Sequence, residues 1–281
     1  MSAPAEFAAD TSGTAEETGR RLARPLRTLG LQLGTAVVIL GLWELLTATE
    51  IIPDFLLPRA SEVLVTLWGD VVEIVTGGPM FGHFTTTLIE IILGFIASVV
   101  IGVLIGALLS EFKPVRRALY PYVVAANATP RIAFAPLIVI WFGFDYGSKV
   151  VMAVAVAVFP VIVNTMAGLA ATDRDDFRLM QSLRATRTQV LWRLRLPTAL
   201  PYLFAGFETA MLFSAVGAVI GEFMGGNEGL GYVTLLAQEL FRLDDAFSAI
   251  ALLSLQGFLL HRLVVIAKKH FVFWQVDDTL S

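Results

Sequence analysis

Long apolar runs alternate along this chain with short segments that collect most of its charge. Six runs stand out, at roughly 29–48, 84–110, 118–142, 150–171, 202–224 and 246–267. An apolar helix needs ~20 residues, each rising ~1.5 Å, to cross a hydrocarbon core of ~30 Å. Lipid offers no water to satisfy the edge of an open strand, so the runs are predicted to be helices. The third run carries Pro121, Pro130 and Pro136, and a straight helix is not expected there, because proline removes a backbone donor and crowds the preceding turn. The pattern predicts an all-α polytopic membrane protein with six transmembrane helices. A flexible N-terminal tail is expected over 1–28, a membrane domain over 29–267 and a C-terminal tail over 268–281.

Composition supports lipid as the solvent. Of 281 residues 56% are hydrophobic and 16% charged, with mean hydropathy +0.74, whereas an ordinary soluble domain is about a quarter charged. The placement of Lys and Arg sets orientation. Arg20, Arg21, Arg24 and Arg27 precede the first run, and Lys113, Arg116 and Arg117 lie between the second and third. Six arginines between 174 and 195 separate the fourth and fifth, and Lys268 and Lys269 follow the sixth. Loops on the opposite side hold Arg59, Lys149 and Arg242 among acidic residues. Both termini are therefore expected in the cytoplasm, as an even number of spans requires. The first 19 residues lack the basic stretch of a cleaved signal peptide.

The segment between the fourth and fifth runs reads TDRDDFRLMQSLRATRTQVLWRLRL over 172–196. Thr172 or Asp173 can cap a helix whose first turn carries Asp175 and Asp176, near the positive end of its dipole. Apolar residues at helical spacing leave the arginines largely on other faces. Such a helix either lies on the membrane or inserts into a cytoplasmic partner. Arg193 and Arg195 are placed to reach lipid phosphates, and Pro197 and Pro201 to bend the chain toward the fifth span.

SLRATRTQVLWRLRLPTALPYLFAGFETAM resembles the "EAA" loop and following helix of binding-protein-dependent ATP-binding-cassette importer permeases, most closely the nitrate/sulfonate/taurine type. Three further blocks share the resemblance: PRIAFAPLIVIWFGFDYGSKV, FPVIVNTMAGL and GEFMGGNEGLGYV. The resemblance implies the type I importer permease fold and a homodimer in a bacterial inner membrane. It implies two separate ATPase subunits that bind Mg-ATP, no cofactor on this chain, and a periplasmic or lipid-anchored solute-binding protein outside. It also makes 174–190 a coupling helix docked on the ATPase, with Arg178, Ser182, Leu183, Arg184, Ala185 and Arg187 as its coupling residues. Pro197 and Pro201 become the elbow to the fifth span. Two positions depart from the family pattern: its usual loop Glu falls at Arg178 and its usual loop Gly at Arg184.

Ionisable residues at membrane depth are costly unless they face protein or water, so each is a functional candidate. Arg131, between prolines in NATPRIAFAP, and Asn127 are placed on the translocation pathway. A guanidinium there suits an anionic solute, which it can grip bidentately; the alternative is a structural pair with Glu208 or Glu90. Glu208, Asn164 and Ser214 are also assigned to the pathway, although Asn164 suits packing between helices better. Glu44 and Glu90 are expected near outer span ends, interfacial or paired. Glu222 leads into GGNEGLGY, where by resemblance Glu222, Gly229 and Gly231 form an outer gate. Residues 58–76 are expected to form an amphipathic helix on the outer face.

Much chemistry is unsupported. The chain has no cysteine and three scattered histidines, so no metal site is expected. It has no phosphate-cradling G-x-x-x-x-G-K-[ST] motif and no convincing catalytic set, and its basic residues are accounted for by topology and membrane lipid rather than nucleic acid. The expected function is the permease subunit of an ATP-driven importer of a small anionic solute, not an enzyme. An ion-gradient transporter working through Arg131, Glu208 and Glu90, and a scaffold that docks a cytoplasmic enzyme, are the rival readings.

Overall fold

In a computed structural model that describes residues 12–274, every regular element among the described residues is helical. The N-terminal unit holds α1 (Ser12–Ala48) and the start of α2 (Ala60–Thr76). α1 begins ahead of the expected span, through a stretch rich in Ala, Glu, Arg and Leu, all good helix formers. Of the tails expected over 1–28 and 268–281, residues 1–11 and 275–281 lie outside the described residues. Glu44 accepts from the Ser61 backbone N–H at 3.0 Å and from its hydroxyl at 2.9 Å, so it caps the first turn of α2. Trp43 Nε1 donates to the Pro58 carbonyl at 2.9 Å, holding the intervening loop.

The larger unit begins within α2 and continues through α3 (Pro79–Glu111), α4 (Lys113–Ala128), a 3-10 turn (Arg131–Phe134) and α5 (Ala135–Phe142). It proceeds through α6 (Tyr146–Ala170), α7 (Arg174–Ser182), α8 (Arg187–Val190), a π-helical turn (Leu191–Arg195) and α9 (Leu196–Gly225). It ends with α10 (Leu230–Glu239) and α11 (Leu243–Phe271). Five helical stretches among the described residues are long and apolar enough to cross a membrane. The expected third span is bent: Pro114–Ala128 and Arg131–Phe142 meet at 87°, so the described residues hold five such stretches, or six when this bent pair is counted as one. Thr129 and Pro130 are both extended at the break, as expected where proline disfavours helix in the residue before it.

α6 is the axis of the bundle, with α3 and α9 on its flanks, and glycine decides how closely they approach. A Cβ on Gly102 of α3 would sit 2.6 Å from Val161 Cβ, and one on Gly106 2.6 Å from Thr165 Cβ. On the α9 side, a Cβ on Gly217 would lie 2.6 Å from Ala153 Cα. Lipid gives helices little hydrophobic reason to associate, so this contact between backbones supplies the packing energy. The opposite face of α3 exposes Leu93, Ile96, Val100 and Leu104, as a lipid-facing surface would.

Candidate coupling segment, translocation pathway and outer turn

The loop between α6 and α9 is not the single helix expected over 174–190. Asp173 does cap α7, accepting from the Asp175 N–H at 2.9 Å. After Ser182 the chain turns: Ala185 N–H donates to the Met180 carbonyl and Arg184 N–H to that of Gln181. This pairing is a Schellman stop, and it places Arg184 in the left-handed region at φ 55°. The position at which the family uses glycine is therefore one that glycine adopts without strain. Thr186 and Gln189 then form a reciprocal capping box that starts α8. The stop projects Leu183 and Arg184 outward, Leu183 at 69% exposure. Arg178 is neutralised by Asp175 at 2.9 Å, and both side chains are largely exposed. Ser182 Oγ bonds the Leu179 carbonyl, while Ala185 is half-buried and Arg187 exposed.

Pro197 and Pro201 do not break the approach to the fifth span, which runs on from Arg187 to Gly225. The π-helical turn precedes the first of them: the Leu196 N–H reaches back to the Leu191 carbonyl, and Pro197 sits in the first turn of α9, while Pro201 lies inside α9. Arg195 does not point to lipid phosphates. It pairs with Glu111 at 2.5 Å and reaches the Leu169 carbonyl at 3.5 Å, tying the ends of α3, α6 and α9 together. Arg193 stays exposed.

Arg131 forms neither of the expected ion pairs. Its Nη1 donates to the Val156 carbonyl at 2.9 Å, its Nη2 to the backbone and side-chain oxygens of Asn127, and its guanidinium lies 4.6 Å from the Phe159 ring centroid. The reason lies in α6. Pro160 has no N–H, so the carbonyl four residues back, that of Val156, lacks its helical partner. Arg131 supplies the missing donor and fastens the corner of the broken span to α6. Asn164 donates to the Pro160 carbonyl at 2.9 Å, and a Cβ on Gly206 would lie 2.8 Å from Asn164 Cβ, which fits the packing reading for Asn164. Asn127 and Arg131 meet at the corner.

Glu208 belongs elsewhere: it pairs with Lys268 of α11 at 3.1 Å. Ser214 is fully buried and donates to the Ile91 carbonyl at 2.8 Å, so it joins α9 to α3 rather than lining a path.

At the C-terminal end of α9, Glu222 is enclosed by the turn it leads into. One carboxylate oxygen accepts from the Thr87 hydroxyl at 2.6 Å, and the other from the Gly231 N–H at 2.5 Å. Thr87 in turn accepts from the Leu230 N–H at 2.8 Å, and His83 Nδ1 from the Gly229 N–H at 3.1 Å. Side chains of α3 and α9 thus satisfy the free amides at the start of α10. Gly229 has φ 110°, and a Cβ on Gly231 would lie 2.5 Å from the Glu222 carboxylate, so both glycines are required by geometry.

Sequence reasoning placed Glu90 near an outer span end, interfacial or paired, and left Lys149 in a loop; both are buried here, at 1% and 4% exposure. Lys149 Nζ donates to the Phe144 carbonyl. His83, Thr87, Glu90, Gly94 and Ser98 recur every three or four residues on α3, and this polar and small-residue face was a legible signal.

Among the described residues the chain is an all-helical bundle with a proline-broken apolar segment, a capped loop between α6 and α9, and a glycine-locked turn before α10. Residues 98–272 match the family described as the binding-protein-dependent transport system inner membrane component, and the chain belongs to that family. It is 35% identical over 223 residues to the formylaminopyrimidine transport permease protein ThiX of Halalkalibacterium halodurans, covering 79% of this chain and 87% of that one. It is 30% identical to the taurine transport system permease protein TauC of Escherichia coli, covering 83% and 86%. A chain of the MetNI methionine ABC transporter, solved in inward-facing conformations, superposes with a TM-score of 0.60 at 17% identity, over 67% of this chain and 94% of that one. The protein is thus a polytopic inner-membrane permease subunit that forms a translocation pathway and is not an enzyme; ATP hydrolysis lies in a separate subunit.

Proposed function

We propose that two copies of this chain form a homodimer, with both termini cytoplasmic, that moves a small anionic solute of sulfonate, nitrate or carboxylate type. Two ATPase subunits carrying Mg-ATP dock on 172–196, and a periplasmic or lipid-anchored binding protein delivers the solute at the outer face. The observation that carries the reading is the projection of Leu183 and Arg184 from the stop between α7 and α8, an exposed knob on the arginine-rich side of the bundle. Closure of the ATPase pair around ATP draws the two knobs together. Their motion passes through the unbroken stretch from α8 to α9, and the ends of α3 and α6 follow through Arg195. Each access state is favoured by its own contacts, with ATP on one side and the loaded binding protein on the other.

The anionic class rests on Arg131 and Asn127 at the corner of the broken span, and on the taurine relative. The formylaminopyrimidine relative has a different solute in its name, which supports placing most of the selectivity in the external binding protein.

Reconstitution with the co-expressed ATPase tests the reading: uptake requires ATP and stops with vanadate. Gradient-driven flux by the chain alone would overturn it. Arg184→Glu weakens co-purification of the ATPase, and unchanged co-purification removes the knob from the docking surface.

A further inference from the structure

α4 carries, in its first turns, a cleft of about 390 Å³ that none of the roles above uses. Arg116, Arg117, Tyr120 and Pro121 line it, and all four are exposed. Val115 and Val123 turn one face of α4 into the cluster of Leu109, Val158, Ile162 and Met166. At 3.6 residues per turn, Arg117 and Pro121 then stand on the opposite face. Neither guanidinium has an ion-pair partner among the described residues. Arg116 lies 5.8 Å from the Tyr120 ring centroid, and Glu111, the nearest acid in sequence, is held by Arg195 at 2.5 Å. The bond that draws Arg195 away from lipid thus leaves Arg116 and Arg117 as uncompensated cations.

Pro121 adds an acceptor to the pair. It lies inside α4 and has no N–H for the Arg117 carbonyl four residues back, so that oxygen lacks its helical donor. Two free guanidinium groups beside a free carbonyl suit a group that carries negative oxygens and a neighbouring hydroxyl. The rest of the helix says where such a group comes from. Tyr120, Tyr122 and Val124 continue exposed along α4 into the apolar run, Tyr122 at 73%, a surface that suits acyl chains and that neither a soluble protein nor a free anion would cover. We propose that this cleft seats the head group of an anionic phospholipid of the phosphatidylglycerol type. Its phosphodiester lies between Arg116 and Arg117, and its glycerol hydroxyl donates to the Arg117 carbonyl. The site goes beyond the transport reading and requires only that this face of α4 meets the bilayer.

Native mass spectrometry of the purified full-length chain, titrated with phosphatidylglycerol or phosphatidylcholine, tests the site. Phosphatidylglycerol is expected to bind saturably and more tightly than phosphatidylcholine, which has no net charge. Arg116→Gln and Arg117→Gln are each expected to weaken it about fivefold, the equivalent of ~1 kcal/mol per arginine at a lipid surface. Arg193→Gln, at an exposed arginine outside the cleft, is expected to leave it unchanged. Phosphatidylmethanol has the same charge without the hydroxyl and is expected to bind more weakly; Pro121→Ala, which returns an N–H to position 121, is expected to erase that difference. Equal affinity for phosphatidylglycerol and phosphatidylcholine, an affinity unchanged in both cleft variants, or an equal loss in Arg193→Gln would each overturn the site. Displacement of the lipid by millimolar inorganic phosphate or methanesulfonate would overturn it too, giving the cleft to a free anion. Vanadate-sensitive uptake in the reconstituted transporter reports separately on the permease reading.

Discussion

Replacing Arg131 with alanine should strip a partner from a carbonyl rather than from a carboxylate, and that distinction can be measured. Val156 is 9% exposed, and its carbonyl has no helical donor because Pro160 stands four residues on. An orphaned buried carbonyl costs about 1–3 kcal/mol. Loss of the guanidinium from its place 4.6 Å above the Phe159 ring adds roughly 0.5–2 kcal/mol. Arg131→Ala is therefore expected to cost about 1.5–5 kcal/mol of stability. Pro160→Ala restores an N–H at position 160 that can close the bond to Val156 within α6. In that background the cost of Arg131→Ala should fall by about 1–3 kcal/mol, leaving mainly the ring contact. A double-mutant cycle on unfolding of the purified chain in detergent reads this coupling directly. Strictly additive costs would refute the reasoning, because the two residues would then not share the carbonyl. In the reconstituted transporter, Arg131→Ala should also weaken transport-coupled ATPase stimulation while assembly persists; normal transport would remove Arg131 from the pathway.

Gly217→Ala should disrupt the contact of α6 with α9, since its Cβ would lie 2.6 Å from Ala153 Cα and 2.8 Å from the Met152 carbonyl oxygen, an overpacking cost of about 1–3 kcal/mol or more. Gly257→Ala is the control, with its nearest neighbour at 4.0 Å; equal thermal stability of the two variants would contradict the close-approach account. Asp70, on α2 outside the spans, has its carboxyl pushed above the usual range by partial burial and by Asp245, Glu73 and Asp244, against a hydrogen bond from Ser248. The folded state then holds the proton more tightly than the unfolded one. The group's contribution to stability is thus present below the ordinary carboxylate value of 3.8 and falls away as pH rises through the raised one. Asp70→Asn should flatten that part of the stability profile, as read from unfolding midpoints across acidic pH, and an unchanged slope would exclude Asp70 as its source.

Much of this protein is written in its composition. Runs of about 20 apolar residues must be helices in lipid, the arginines mark one side, and three prolines in the third run foretell its break. The start of α7 was legible because Asp173, Asp175 and Asp176 act within one turn. Its end was not: Arg184 offers no glycine to announce a left-handed turn, so one helix was expected where two stand. Partner choice inside the bundle was also hidden. Glu208 finds Lys268, Arg195 finds Glu111, and Arg131 finds a carbonyl that a proline on another helix left free. The physical reason is the solvent. In water an apolar stripe tells which face of a helix turns inward, but in lipid the outward faces are apolar too, so only a polar and small-residue face such as that of α3 still marks the inward side. What remains is backbone proximity, set by Gly102, Gly106 and Gly217 against α6, and only the assembled bundle determines which polar groups that proximity brings within reach.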